Sequence, residues 1–382
     1  MIYLDNAATS WPKPPAVAAS IVDFLDHRAG NPGRSSHAMA IAADAVVAST
    51  RLRLAALLGA PDPARIVFTL NATDALNTAL WGLLRPGDRV VTTSIEHNAV
   101  VRPLHALAER GVTVTRVPCA PDGTLDLDDL DAALRSGPAR LVAMCHASNV
   151  VGTILPARDA ATLAHAHGAL FLLDAAQTAG VLPIDVGGME IDLLAVPGHK
   201  ALLGPTGTGA LYVAAGIRLA PLRQGGTGTR SEEERQPEEM PAALEAGTLN
   251  TVGIAGLGAA LEYLRDRGPE AIRAHEIALT ARLIDGLREI AGVRVHGTGV
   301  AERQVATISM SLEGWEPVDL AAALDGSFGI AVRAGLHCAP LAHRTVGTFP
   351  HGTVRFSPGS FSTDDDVDRA VRAVGTLARS VA

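Results

Sequence analysis

A chain of 382 residues, 48% of them hydrophobic and only 3% aromatic, is long enough for two domains and a large Ala- and Leu-rich core. Its formal net charge of -8, with no basic block, argues against a nucleic-acid or anionic-membrane surface. Three cysteines with no CxxC spacing argue against a disulfide framework, so a reducing cytoplasm is the expected setting.

The opening MIYLDNAATSWPKP lacks a charged n-region and an apolar h-region, so no signal peptide is expected, and no apolar run is long enough to span a bilayer. IYLD reads as a short strand. Helical periodicity covers residues 15–26 and 36–58, and RAGNPGRSSH between them has the composition of a loop. Strands and helices then alternate. RIVFTL leads to a helix starting near Thr73, and RVVTTS to a helix after IEHNA. TVTRVP ends at a Pro-Asp-Gly turn, and RLVAMCHAS leads through NVVGTILP to the helix DAATLAHAHG. LFLLDA, LLAV and GALYVA complete seven strand candidates. This pattern predicts an α/β fold with a seven-stranded, mostly parallel sheet.

After Val213 the character changes. Residues 224–240, QGGTGTRSEEERQPEEM, read as an acidic surface loop. Helices follow over 252–266 and 272–291, then the strands VRVHG and ATISMSL. A long loop is expected before the strand GTVRFSPG, and a terminal helix starts with Thr363 as N-cap. The expected division is a large domain over 15–262 and a smaller α+β domain over 263–382, joined by residues 1–14.

The chemistry centres on two buried-strand patterns. LFLL stops at Asp174, and LLAV stops at Pro197, with Gly198, His199 and Lys200 following. In open parallel sheets ligands sit beyond the carboxyl ends of strands. An acid and a lysine at two such ends suit pyridoxal phosphate: the lysine forms a Schiff base, and the acid keeps the pyridine nitrogen protonated. A helix N-cap and a solvated lysine would account for the same residues separately.

Other strand ends add to this. NATDALN opens a helix whose free N–H groups and Thr73 hydroxyl make a phosphate seat, or a plain N-cap. His97 could stack on a planar cofactor and move protons, or be structural. Asn149 could reach a ring oxygen, or shape a turn. In RAGLHCAPLAH, Gly335 and Pro340 suggest a loop, with His337 beside Cys338 and Arg333 close in sequence. A thiol in such a cationic loop is a nucleophile; otherwise it is a small apolar residue, the reading that suits Cys119 and Cys145. Arg355 could bind a substrate carboxylate in bidentate fashion, or be a surface charge.

Together YLDNAAT, NATDALN, IEHNAVV, SNVVGT, LLDAAQ, GHK, EAGTLNT and RAGLHCAP span nearly the whole chain. In that order they resemble the cysteine desulfurase and selenocysteine lyase family, pyridoxal-phosphate enzymes of class V aminotransferase type and fold type I. The resemblance implies that Lys200 carries the cofactor, Asp174 partners its ring nitrogen and His97 stacks on the ring. It implies Gln177 and Asn149 on the phenolic-oxygen side, with Ala72, Thr73 and His199 on the phosphate. Thr248 would reach the phosphate of the neighbouring subunit of a homodimer. Arg355, with Arg333 and Asn6 nearby, would bind the substrate carboxylate. Cys338 would take the sulfur of L-cysteine as a persulfide, release L-alanine and pass the sulfur to an acceptor protein. No metal site is expected. Two departures stand out: Pro197, where many relatives carry a serine, and the acidic loop 227–240. Selenocysteine lyase, another carbon–sulfur lyase, a class V aminotransferase and an idle sulfur carrier remain as alternatives.

Overall fold

The structure, a computed structural model, describes residues 1–33, 37–228, 230 and 232–380. The chain begins with strand β1 (Ile2–Tyr3) and helices α1 (Pro15–His27) and α2 (Ala38–Leu57). The expected start of α2 at Ser36 lies outside the described residues; the His37 side chain caps the helix by accepting from the Ala40 N–H. An alternating run follows: β2 (Ile66–Thr69), α3 (Ala72–Leu83), β3 (Arg89–Thr93), α4 (Asn98–Ala108), β4 (Thr113–Val117) and α5 (Leu127–Arg135). It continues through β5 (Leu141–Cys145), α6 (Ala157–Ala166), β6 (Leu170–Asp174), β7 (Leu193–Pro197) and β8 (Gly209–Val213).

All seven expected strands join one sheet, in the order β2-β8-β7-β6-β5-β3-β4. β4, β3, β5, β6 and β7 are mutually parallel, while β8 runs antiparallel to both β7 and β2. The carboxyl ends of every strand but β8 therefore share one edge. Both faces are covered. Val90, Ala143, Leu172 and Leu193 pack towards α3 and α4, and Val91, Val142, Phe171 and Leu194 towards α2, α6 and α7. A sheet buried on both faces needs apolar residues at every position, which is why β5, β6 and β7 do not alternate. At the start of β8 a Cβ on Gly209 would lie 2.7 Å from the Asn71 backbone. Glycine there lets the N-terminus of α3 close onto the sheet edge. α5, not expected from the sequence, is short and carries three aspartates and an arginine; it is held by the Asp126 cap, acids in its first turn and the buried Leu130 and Leu134.

α7 (Thr251–Arg267) packs on α1 and α2, and α8 (Pro269–Arg288) packs on later elements. These are β9 (Val293–His296), β10 (Ile308–Leu312), α9 (Pro317–Phe328), β11 (Ile330–Ala331), β12 (Arg333–Gly335), α10 (Pro340–Thr345), β13 (Thr353–Phe356) and α11 (Asp364–Arg379). The long loop expected before GTVRFSPG is thus mostly ordered. α9 has Pro317 at its start, buried Leu320 and Leu324 four apart, and Gly329 in the left-handed conformation at its end. An antiparallel sheet, β12-β13-β10-β9, packs on α8, α9 and α11 through Leu283, Leu324, Val367, Met310 and Phe356. β1 pairs in parallel with β11, so the N-terminus lies against this unit. Thr363 caps α11 in a capping box with Asp366. Among the described residues no helix is long and apolar enough to cross a membrane.

Candidate active site

A cavity of about 370 Å³ opens at the carboxyl edge of the large sheet, with β12, β13 and the Cys338 loop forming its other wall. Every residue given a cofactor, substrate or catalytic role from the sequence lines it except Asn6 and Thr248. Asn6 lines an adjoining space of about 40 Å³, which Lys200 and Gln177 also reach. Its side chain bonds the Ser357 carbonyl and the Trp11 N–H. Thr248 lines a separate cavity of about 190 Å³ beside Arg223.

Asp174 ends β6, directly paired with Cys145 of β5 and Ala195 of β7. Burial pushes its carboxyl upward, against the pull of the Ala176 N–H at 2.9 Å and of Lys200. Lys200 lies just past the end of β7. Burial drives its ammonium down to about 8; Asp174 opposes the shift, and Arg355 and Arg333 add to it. The pair is a desolvated acid and a base near neutrality, the kind of arrangement that marks a site of proton chemistry.

At the N-terminus of α3, Asn71 is the cap, not Thr73: its side chain accepts from the Asp74 N–H. The Ala72 and Thr73 N–H groups have no acceptor among the described residues, and both residues line the cavity. His199 adds a buried Nδ1 with no partner. Its carbonyl is gripped by Ser10, Thr9 and Lys13 at 2.8–3.1 Å. Pro197 also lines the cavity, so it offers neither hydroxyl nor N–H where a serine would.

His97 caps α4 through Nδ1, which accepts from the Ala99 N–H at 3.0 Å. Burial first, then Lys200, Arg355 and Arg102, hold it down at about 4, so the ring is neutral. Gln177 donates to the Ala7 carbonyl at 3.1 Å, and Asn149 to the His337 carbonyl at 2.7 Å.

Arg355 is 2% exposed, so it is no surface charge. Nη1 donates to the Asn149 carbonyl at 2.9 Å and Nη2 to Asp5 at 3.0 Å, while the buried Nε has no partner. The fork is thus partly committed within the protein. Cys338 is exposed at the cavity wall, and its carbonyl accepts from Asn98, the first residue of α4. The loop is not the cationic one expected. The His337 ring is buried, both its nitrogens are engaged, and burial drives it down to about 2. Arg333, on a strand and not in the loop, pairs with Asp5. Burial raises Cys119 to about 11 and Cys145 well above its usual range, so neither is a ready nucleophile.

Three contributors were not singled out from the sequence. Asp5 is the counter-ion shared by Arg333 and Arg355. Lys13 holds the His199 turn. Glu96 is wholly buried and accepts at Oε1 from Thr93 (2.6 Å) and from the Cys145 N–H (3.0 Å), tying the ends of β3 and β5 together. Asp5 and Glu96 lie inside the quoted YLDNAAT and IEHNAVV, but nothing in their local pattern announces an ion pair with the far end of the chain or a buried carboxyl.

The aminotransferase class-V family model matches residues 2–370. A probable cysteine desulfurase of Methanothermobacter thermautotrophicus is 35% identical over 373 residues, 96% of this chain and 92% of that one. One from Halobacterium salinarum is 38% identical over 384 residues, 98% of this chain and 91% of that one. The apo structure of cysteine desulfurase from Thermococcus onnurineus NA1 superposes with a TM-score of 0.93 at 32% identity, over 99% of this chain and 95% of that one. The chain belongs to the aminotransferase class-V family, alongside the cysteine desulfurases.

Proposed function

We propose that this protein is a pyridoxal-phosphate-dependent cysteine desulfurase: it converts L-cysteine to L-alanine and leaves the sulfur on Cys338. The observation that carries the reading is the meeting of Lys200, Asp174 and Cys338 in one cavity. The residues present fit the cofactor. The unpaired N–H groups of Ala72 and Thr73 and the orphaned His199 Nδ1 suit a phosphate, and the buried Asp174 carboxyl suits a cationic ring nitrogen. Lys200 would anchor the cofactor, His97 would lie over its ring, and Gln177 and Asn149 would flank its phenolic oxygen. Bound pyridoxal phosphate supplies the electron sink that makes the substrate α-proton removable.

The chain's own groups do the rest. Arg355, with Arg333 beside it, receives the substrate carboxylate, and its orphaned Nε is one free donor. Lys200, pushed down to about 8, takes the α-proton onto Nζ. The Cys338 thiolate attacks the substrate sulfur: an S–S bond forms, the C–S bond breaks, and the electron pair with a proton completes alanine. No external oxidant or reductant is needed. A transaminase has no use for a thiol at this wall, which favours the desulfurase over the aminotransferase.

The exposed thiol suits delivery to an acceptor protein. Thr248 lies away from its own chain's cavity, which supports a homodimer in which it faces the partner's site. Free cysteines suit a reducing cytoplasm. The test is incubation of holoenzyme with L-cysteine, followed by product analysis and peptide mass mapping. Equimolar alanine, with one added sulfur atom on the Cys338 peptide, is expected. Pyruvate, or sulfur on Cys119 or Cys145, would refute the reading.

A further inference from the structure

Two consecutive non-glycine residues, His337 (φ 49°) and Cys338 (φ 56°), occupy the left-handed backbone region. Such a pair persists only where its surroundings over-determine it. The exposed Cys338 side chain cannot do so, but the buried His337 ring can. Its Nε2 lies 3.3 Å from the Arg333 carbonyl, which only accepts, so Nε2 carries the hydrogen. Nδ1 of the neutral ring is then an acceptor. It lies 3.1 Å from Nε2 of the fully buried His343, which must donate. Nδ1 of His343 is in turn an acceptor, 2.7 Å from the Thr348 hydroxyl, which donates. Each tautomer is dictated by the one before it, and the chain has a single direction.

The chain requires a neutral His337, since a proton on its Nδ1 would set two N–H groups against each other, and a proton on His343 Nδ1 would turn the Thr348 hydroxyl from donor to acceptor. Burial drives His337 down to about 2 and His343 to about 4, and Arg355 disfavours charge on both. Arg333 faces His337, and His296 of β9 faces His343; each disfavours charge as well. The rings stack with centroids 5.3 Å apart, which fixes their relative orientation.

We infer that His343 and Thr348 are positioning residues for the sulfur-accepting thiol. The chain from the Thr348 hydroxyl through His343 and His337 to the Arg333 carbonyl holds Cys338 in its left-handed conformation at the cavity wall. The inference rests on the reading of Cys338 as the sulfur acceptor. It deepens that reading by naming what presents the thiol.

The test uses holoenzyme carrying Thr348→Val, which removes the terminal donor at nearly constant volume, and Thr348→Ser, which keeps it. His343→Phe keeps an aromatic ring, somewhat larger, but removes the nitrogens. The measurements are kcat and KM for alanine release from L-cysteine, cofactor absorbance, and amide exchange over residues 334–342. Within that stretch the Ala339 N–H is bonded to the Leu336 carbonyl at 2.8 Å. Thr348→Val and His343→Phe should speed exchange there and lower kcat by about tenfold to a hundredfold, with KM and absorbance unchanged. Thr348→Ser should restore both. The inference is overturned by unchanged exchange in Thr348→Val, by faster exchange with unchanged kcat, or by a kcat loss that tracks cofactor loss and is not restored by serine. If the wild type releases no alanine from cysteine, the desulfurase reading fails, and exchange alone judges whether the chain holds the loop.

Discussion

Arg355 donates from Nη2 to Oδ1 of Asp5 at 3.0 Å, joining a strand near the C-terminus to the fifth residue of the chain. Arg333, directly opposite Arg355 across β12 and β13, uses the same carboxylate. The N-terminal segment therefore supplies the counter-ion for both arginines at the cavity wall. Asp5→Ala should leave the buried Arg355 charge uncompensated and cost about 3–5 kcal/mol. Chemical denaturation measures this. A loss below about 1 kcal/mol, the value of an exposed pair, would contradict it.

Arg355→Lys keeps a charge but loses the planar fork. KM for cysteine should rise by the equivalent of about 2–4 kcal/mol, while cofactor absorbance is retained. The lysine still offers Asp5 a cation, so most of the fold's stability should survive. An unchanged KM would remove Arg355 from the substrate site.

Lys200→Ala should abolish both turnover and the covalent attachment of cofactor, because no other lysine lines the cavity among the described residues. Borohydride reduction of the wild type followed by peptide mapping checks this. A labelled lysine elsewhere would contradict it.

Much of this site was legible because its residues stand where patterns break. Asp174 ends one apolar strand, Lys200 lies just past another, and Thr73 and His97 stand at helix starts. The N-cap was misplaced by two residues, since Asn71 and Thr73 have similar capping preferences and only backbone geometry separates them. His337 as a source of positive charge beside Cys338 was misread for a different reason. Adjacency in sequence says nothing about where a ring points, and His337 turns inward to His343. Within the ordered stretch between β10 and β13, β11 and β12 have too few residues to show a period. Asp5 was invisible as a counter-ion because its partners lie more than three hundred residues away.

Glu276, on α8, is 6% exposed, and burial raises its carboxyl to about 8, with Arg273 opposing. A raised carboxyl pKa means the folded state holds its proton more tightly than the unfolded state. The associated stability is complete below about 4.5 and is lost as pH rises through about 8. Glu276→Gln removes the ionisation, so the variant should gain on the wild type between pH 5 and pH 9, by on the order of a few kcal/mol. Denaturant titrations across that range test it. Parallel pH profiles for the two proteins would contradict it.

The central claim is that substrate sulfur moves to Cys338. Lys200, Asp174 and the phosphate seat stand on the large-sheet side, and the thiol stands on the opposite wall. Cys338→Ser holoenzyme should therefore keep its cofactor absorbance and still bind cysteine. A hydroxyl is a far poorer nucleophile than a thiolate toward sulfur, and the half-buried Cys119 and buried Cys145, both with raised thiol pKa, cannot substitute. The direct measurement is alanine release from L-cysteine by this variant beside the wild type. Loss of alanine release with the cysteine-induced spectral change retained is the predicted result. Alanine formed at the wild-type rate would contradict the mechanism.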